Sequence, residues 1–284
     1  MATFKAACVQ NTASNDIERN IEKLGIQVRR ARDAGADFIT TPEVCLMIEQ
    51  GAKRTREKAV AEAAHPGLAA FREWARETGA WLLAGSLTVL RDDDKLANRS
   101  YLLDPAGKVV ATYSKIHMFD VTLPNGEQYR ESNAYTAGED AVLADLPWGR
   151  LGMTICYDMR FPHLYRDLAK QGADILTVPS AFTRPTGRAH WEVLLRARAI
   201  ETGCFVLAAA QCGEHAGGRK TYGHSLIVAP WGEVLAEGGE LPGVVTAEID
   251  LDRVAEARQR VPSLQHDRPY SGPTLANPAE QAAE

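Results

Sequence analysis

The spacing of apolar positions along the chain changes period several times. Ile17, Ile21, Leu24 and Val28 recur every three or four residues, as on one face of a helix. Asn15 stands ahead of them with Glu18 three residues on, a capping-box pattern that predicts a helix start at Asn15. Gly35 is the predicted stop, because a helix end often needs a positive φ that glycine adopts without cost. Residues 38–41 read as a short strand closed by Pro42. A second helix is predicted over 66–79, with Pro66 in its first turn and Leu68, Phe71, Trp74 and Ala75 inward. Residues 81–85 follow as a strand, and "DPAG" at 104–107 is turn chemistry between two more. The second half has the same rhythm. A strand at 151–155 ends at Cys156, helices are predicted near 162–171 and 188–202, and strands near 173–178, 204–210, 223–229 and 233–237.

The two halves also share letters. "AGADFITTP" at 34–42 echoes "QGADILTVP" at 171–179, and "ETGAWLLA" at 77–84 echoes "ETGCFVLA" at 201–208. "NRSYLLDPAGKVVA" at 98–111 echoes "GHSLIVAPWGEVLA" at 223–236, and "KAACVQ" at 5–10 can be laid on "MTICYD" at 153–158. Several echoes in one order predict a duplicated unit with a pseudo-two-fold axis. Two copies of strand–helix–strand–helix–strand–hairpin give an α/β protein. If the two sheets pack face to face, helices cover only their outer faces, and the architecture is a four-layer α-β-β-α sandwich. Residues 1–270 are expected to form a single domain and 271–284 a C-terminal tail.

Charge and cysteine content narrow the function. The net charge is −5 with both signs interspersed, so no basic tract points to nucleic acid or to a membrane surface. No apolar run approaches membrane-spanning length, and the N-terminus lacks a signal-peptide pattern. Cys8, Cys45, Cys156, Cys204 and Cys212 are odd in number, widely spread and form no C-x-x-C, which argues against a disulfide framework and a zinc site. A cytoplasmic setting is expected. Most of these cysteines read as small buried apolar residues.

Ligands of open α/β sheets bind beyond the carboxyl ends of the strands. Three reactive side chains stand there: Glu43 after 38–41, Lys115 after the hairpin strand at 108–113, and Cys156 after 151–155. Taken singly, each could be a surface charge or a core thiol. Together they can perform nucleophilic chemistry. A thiol must lose its proton to attack, an enclosed carboxylate can take it, and an ammonium can hold the negative charge that develops. The N–H of Tyr157 is a second candidate for that oxyanion. Other signals fail: "GEHAGGRKT" at 213–221 has Arg219 where a phosphate loop needs lysine, and the seven histidines show no metal-ligand spacing.

The segments "TTPEVCL", "YSKIHMFD" and "GMTICYDMRFPHLYRDLAKQGADILTVPSAF" together resemble the nitrilase superfamily of carbon–nitrogen hydrolases, over about residues 4–270. The resemblance implies a Glu43–Lys115–Cys156 triad, no metal, no organic cofactor, and assembly as a homodimer or larger homo-oligomer. It also implies a second, substrate-positioning glutamate, matched by Glu131 in "YRESN", with Glu127 the weaker match. "GRAHWEVLLRARAIETGCFVLAAAQCG" looks most like amidases acting on deaminated glutathione, with ω-amidases acting on α-ketoglutaramate and N-carbamoyl amidases as alternatives. A catalytically silent, thiol-bearing binding protein is the non-enzyme alternative. An amide substrate with a 2-oxoglutaryl unit carries a carboxylate, which arginine suits. Of Arg160, Arg184 and Arg188, Arg184 is favoured for that task. Arg160 and Phe161 are expected at the pocket mouth.

Overall fold

The computed structural model describes residues 3–273, so of the expected tail residues 274–284 lie outside the described residues. The first copy contains β1 (Thr3–Gln10), α1 (Ile17–Asp33), β2 (Phe38–Thr40), α2 (Ala52–Lys58), β3 (Val60–Ala61), α3 (Pro66–Thr78), β4 (Trp81–Leu90), β5 (Leu96–Leu103) and β6 (Val109–Ser114). A hairpin, β7 (Asp120–Thr122) and β8 (Gln128–Arg130), separates it from the second copy. That copy contains β9 (Val142–Asp145), β10 (Arg150–Met153), α4 (Pro162–Lys170), β11 (Ile175–Thr177), α5 (Arg184–Thr202) and β12 (Phe205–Ala208). The hairpin β13 (Cys212–Glu214) and β14 (Lys220–Tyr222) follows, then β15 (Leu226–Val228), β16 (Val234–Glu237), β17 (Gly243–Asp250) and α6 (Asp252–Arg260).

The two main sheets have matching orders. One runs β17-β1-β2-β4-β5-β6 and the other β16-β15-β12-β11-β10-β9. In each, three parallel strands (β1, β2, β4 or β10, β11, β12) lead into an antiparallel hairpin. An extra antiparallel strand, β17 or β9, closes the other edge.

Alternation along the strands makes the four layers. Ala6, Cys8, Phe38, Leu83 and Leu102 of the first sheet share one buried cluster with Met153, Ile175 and Leu207 of the second. Their strand neighbours Ala7, Val9, Ile39, Leu82 and Leu103 face outward and pack with Leu24 and Val28 of α1 and Phe71 and Trp74 of α3. The α-β-β-α sandwich is therefore present as the pattern predicted.

The structure departs from expectation at several places. Asp16, not Asn15, caps α1, its Oδ1 accepting from Arg19 N at 3.1 Å, while Asn15 Nδ2 turns away to Glu49 Oε2 at 2.8 Å. Glu18 is exposed, so the predicted capping box does not form. Helix α5 begins at Arg184 rather than near 188, because Pro185 suits a first turn whose N–H groups lack helical partners. Arg184 is thus a helix residue, not a loop residue. The echo of "KAACVQ" with "MTICYD" is out of register by three. Ala6 sits opposite Phe38 and Leu151 opposite Ile175, so residues 5–10 correspond to 150–155. The short helix α2, strand β17 and helix α6 lay outside the predicted elements.

Candidate active site

Two loops at matching sheet edges face each other across the sandwich. The loop after β2 carries Glu43. Its backbone is held by Gln211 Nε2, which donates to Glu43 O at 3.1 Å, and by Ser86 Oγ, which accepts from Val44 N at 2.8 Å. Val44 has φ +44, a strained conformation for a β-branched residue that these bonds maintain. In the other loop Cys156 opens a 3₁₀ turn with φ +50. Strand β10 stops at Met153, two residues short of the predicted end. The turn is locked by the fully buried Asp158. Its Oδ2 accepts from Ile155 N at 2.8 Å and Tyr113 OH at 2.7 Å, and its Oδ1 accepts from His117 N at 3.0 Å and His117 Nδ1 at 2.7 Å. Because His117 lies two residues beyond Lys115, Asp158 also fixes the Lys115 segment against the Cys156 turn.

Lys115, at the end of β6, is almost wholly buried. Its Nζ donates to Glu43 Oε1 at 2.9 Å and to Glu131 Oε2 at 2.8 Å. Asn98 Nδ2 donates to the same two carboxylates, at 2.9 Å to Glu43 Oε1 and 3.2 Å to Glu131 Oε1. Ala181 N donates to Glu43 Oε2 at 2.8 Å, and Phe119 N to Glu131 Oε2 at 2.7 Å. Every oxygen of the two carboxylates is therefore fixed.

The charges set the protonation states. Burial pushes the Cys156 thiol up, and the Glu43 carboxylate beside it pushes it further, against a smaller pull from Lys115. Burial also acts to raise Glu43, but the Lys115 ammonium, with the Cys156 hydrogen bond and the Arg219 charge, outweighs it and leaves Glu43 below the usual carboxylate range. Lys115 stands well above its ordinary value, because Glu131 and Glu43 overcome the burial that would lower it. The resting site is thus a thiol facing an ionised carboxylate.

These groups line one cavity of about 950 Å³. Glu43, Lys115, Glu131, Cys156, Tyr157 and Arg184 are on its wall, and Glu127 lies toward its exposed side. Arg160 and Phe161 are not on the wall. Arg160 reaches His190 Nδ1 at 3.2 Å and lies over the rings of Tyr157 and Phe182, and Phe161 stacks on His117 at 3.5 Å. Both pack against the lining residues Tyr157 or Phe182 instead of lining the cavity themselves. Arg188 is likewise off the wall. Sequence reasoning missed Asn98, which carries no reactive signature, and Arg219, which lines the cavity. Among the described residues no cluster of three or more His, Cys, Asp or Glu side chains forms a metal site, and no helix is long and apolar enough to cross a membrane.

Comparison with known proteins agrees with this geometry. The carbon–nitrogen hydrolase family pattern matches residues 5–259. The chain is 39% identical to a deaminated glutathione amidase of Yersinia enterocolitica, covering 94% of each chain. It is 42% identical to the Homo sapiens deaminated glutathione amidase over 96% of this chain and 84% of that one. The C. elegans NitFhit protein superimposes with a TM-score of 0.88 at 38% identity, covering 94% of this chain and 66% of that longer one. Saccharomyces cerevisiae Nit3, of the nitrilase superfamily, superimposes with a TM-score of 0.83 at 28% identity, covering 92% and 94%. A matched family pattern, near-complete overlap with these relatives and the shared sandwich place the chain in the carbon–nitrogen hydrolase family of the nitrilase superfamily, hydrolases of carbon–nitrogen bonds.

Proposed function

We propose that this hydrolase is a cysteine-dependent amidase that cleaves deaminated glutathione into 2-oxoglutarate and cysteinylglycine. The observation that carries the reading is the buried chain Glu43–Lys115–Glu131 on the wall of the cavity that contains Cys156. The names of the relatives support the substrate, and a cavity of about 950 Å³ has room for a tripeptide-sized amide.

In this mechanism Glu43 takes the Cys156 proton as sulfur attacks the amide carbon. Lys115 Nζ and the Tyr157 N–H hold the oxyanion, and Glu131 keeps the ammonium aimed. Protonated Glu43 gives its proton to the departing amine, and the thioester forms. Glu43 then removes a proton from water as it attacks the thioester, and the acid leaves as Cys156 regains its proton. Arg184, on the wall at the start of α5, positions the substrate.

The test is amine release from deaminated glutathione, run beside ammonia release from α-ketoglutaramate to separate amidase from ω-amidase. Cys156→Ala should release no amine above background, and Glu43→Gln should lose about 10²–10⁴-fold in kcat, the usual contribution of a general base. Near-normal turnover by either folded variant would overturn the assignment. The reading includes a homo-oligomer in the cytoplasm. Five free cysteines support the reducing compartment, and the exposed Val193 and Ile200 on α5 support a covered face, which light scattering would measure.

A further inference from the structure

The segment that fails as a phosphate loop supplies a cation to the cavity. Residues between β13 and β14 fold back tightly, with Gly217 at φ +78 and Gly218 at φ +83, and His215 N donating to Arg219 O at 2.8 Å. The loop is pressed on Gln50, since a Cβ on Gly217 would lie 2.3 Å from Gln50 Oε1. The segment is thus a fixed wall that holds Arg219 over the site.

Arg219 Nη2 donates to Ala181 O at 2.7 Å, and Ala181 N donates to Glu43 Oε2 at 2.8 Å. One residue therefore joins the guanidinium to the reacting carboxylate. The guanidinium carbon lies 5.5 Å from the centre of the Tyr129 ring, which fixes its plane. Its Nε is buried and has no partner, and among the described residues no carboxylate lies within ion-pair range. The acidic groups nearby are already engaged: Glu43 by Lys115, Asn98 and Ala181, and Glu127 by Tyr129 OH at 2.8 Å. The other ionisable neighbours, Arg184 and the buried His215, offer no negative charge.

We infer that Arg219 determines specificity by binding a carboxylate on the acyl part of the substrate, a few bonds from the carbon that Cys156 attacks. The inference rests on the amidase reading above. A partly buried guanidinium on the cavity wall with no carboxylate partner is suited to receive one, and its link through Ala181 sets the distance to the triad. Arg184 is less suited, because its Nε donates to Thr221 O at 3.3 Å and not to Ala181, the residue that ties Arg219 to Glu43. The acid group required is the 2-oxo acid end of a 2-oxoglutaryl amide. The site would disfavour amides whose acyl chain ends in a neutral group, since the cation would then face the bound substrate without a carboxylate.

The experiment compares deaminated glutathione with its methyl ester at the 2-oxo acid end, following cysteinylglycine release. Arg219→Gln should lower kcat/KM for the acid by about 10- to 100-fold, mainly through KM, the range for a hydrogen bond to a charged group. It should change kcat/KM for the ester by less than about threefold, and Arg219→Lys should recover part of the loss on the acid because it restores the charge without the fork. Equal losses on acid and ester, or no loss on either, would overturn the assignment of Arg219 while leaving the amidase reading intact. Wild-type enzyme that releases amine from neither compound would overturn the amidase reading and this inference with it.

Discussion

Which of Glu43 and Cys156 holds the proton follows from their neighbours. Glu43, Lys115 and Glu131 together carry one net negative charge, and a thiolate at Cys156 would add another in a buried site. The thiol therefore rests protonated beside the ionised Glu43, which in the proposed mechanism serves as its base. This fixes a pH profile. Glu43 titrates below the usual carboxylate range, while Cys156 and Lys115 titrate above their own. None of the three changes state between about pH 6 and 9, given unperturbed values near 4 for Glu and 8.5 for Cys. The profile of kcat/KM for deaminated glutathione should be flat across that window. A limb centred near pH 7 would show that another group controls the reaction. At this scale the sequence was legible wherever a residue type implies chemistry. Glu43, Lys115 and Cys156 stand out as reactive side chains beyond strand ends, Glu131 is indicated only by the family resemblance, and the structure brings all four to one cavity. Asn98 was invisible, because an amide that bridges two carboxylates looks like any polar strand residue until the carboxylates are placed.

The β13–β14 hairpin shows what an element contributes beyond its residues. His215 packs under it, Nδ1 2.8 Å from Ala13 O and Nε2 2.7 Å from Thr221 Oγ1. A neutral ring satisfies both, donating from Nδ1 and accepting the threonine hydroxyl at Nε2. Burial first, then the Arg219 and Arg184 charges, push its pKa down to about 4. The sign is that of a base kept neutral by folding. The unfolded chain binds a proton near pH 6.5 and the folded one does not, so this stabilisation is complete above that pH and is lost as pH falls toward 4. The loss amounts to about 2–3 kcal/mol. Urea unfolding at pH 7 and pH 4.5 should show wild type losing more stability than His215→Asn by that order. Equal losses would mean that the ring is protonated in the fold. Element boundaries were the least legible features. α1 is capped by Asp16 because Asn15 is bonded to Glu49, and α5 starts at Arg184 because Pro185 suits its first turn. The first outcome depends on a tertiary partner that local pattern does not contain, whereas the second follows a proline in the sequence itself.

Across the whole molecule, duplication produced two similar frames and one site. With the register set by strand pairing, the position matching Cys156 in the first copy is Asn11, and the position matching Glu43 in the second is Ser180. The first layer thus carries Glu43 and Lys115 and the second carries Cys156, so the proposed chemistry needs both layers. The duplication was legible because the strands facing each other need similar residues, Phe38 and Ile175 or Leu83 and Leu207, in one shared core. Strand β17 was not legible, since its half-buried residues carry no echo, yet it pairs residues 243–250 with β1 across Thr3–Gln10. Both the shared core and β17 couple the layers, so the copies should not unfold separately. Far-UV circular dichroism and tryptophan fluorescence should report a single coincident urea transition, because Trp74 lies in the first layer and Trp191 in the second. Phe38→Ala, which empties space between the two sheets, should shift that whole transition by about 3–5 kcal/mol, the range for a buried phenylalanine. A variant that instead split the transition, with one layer melting early and Trp191 unaffected, would show that the two copies are stable independently and that the site is held by contact between finished layers.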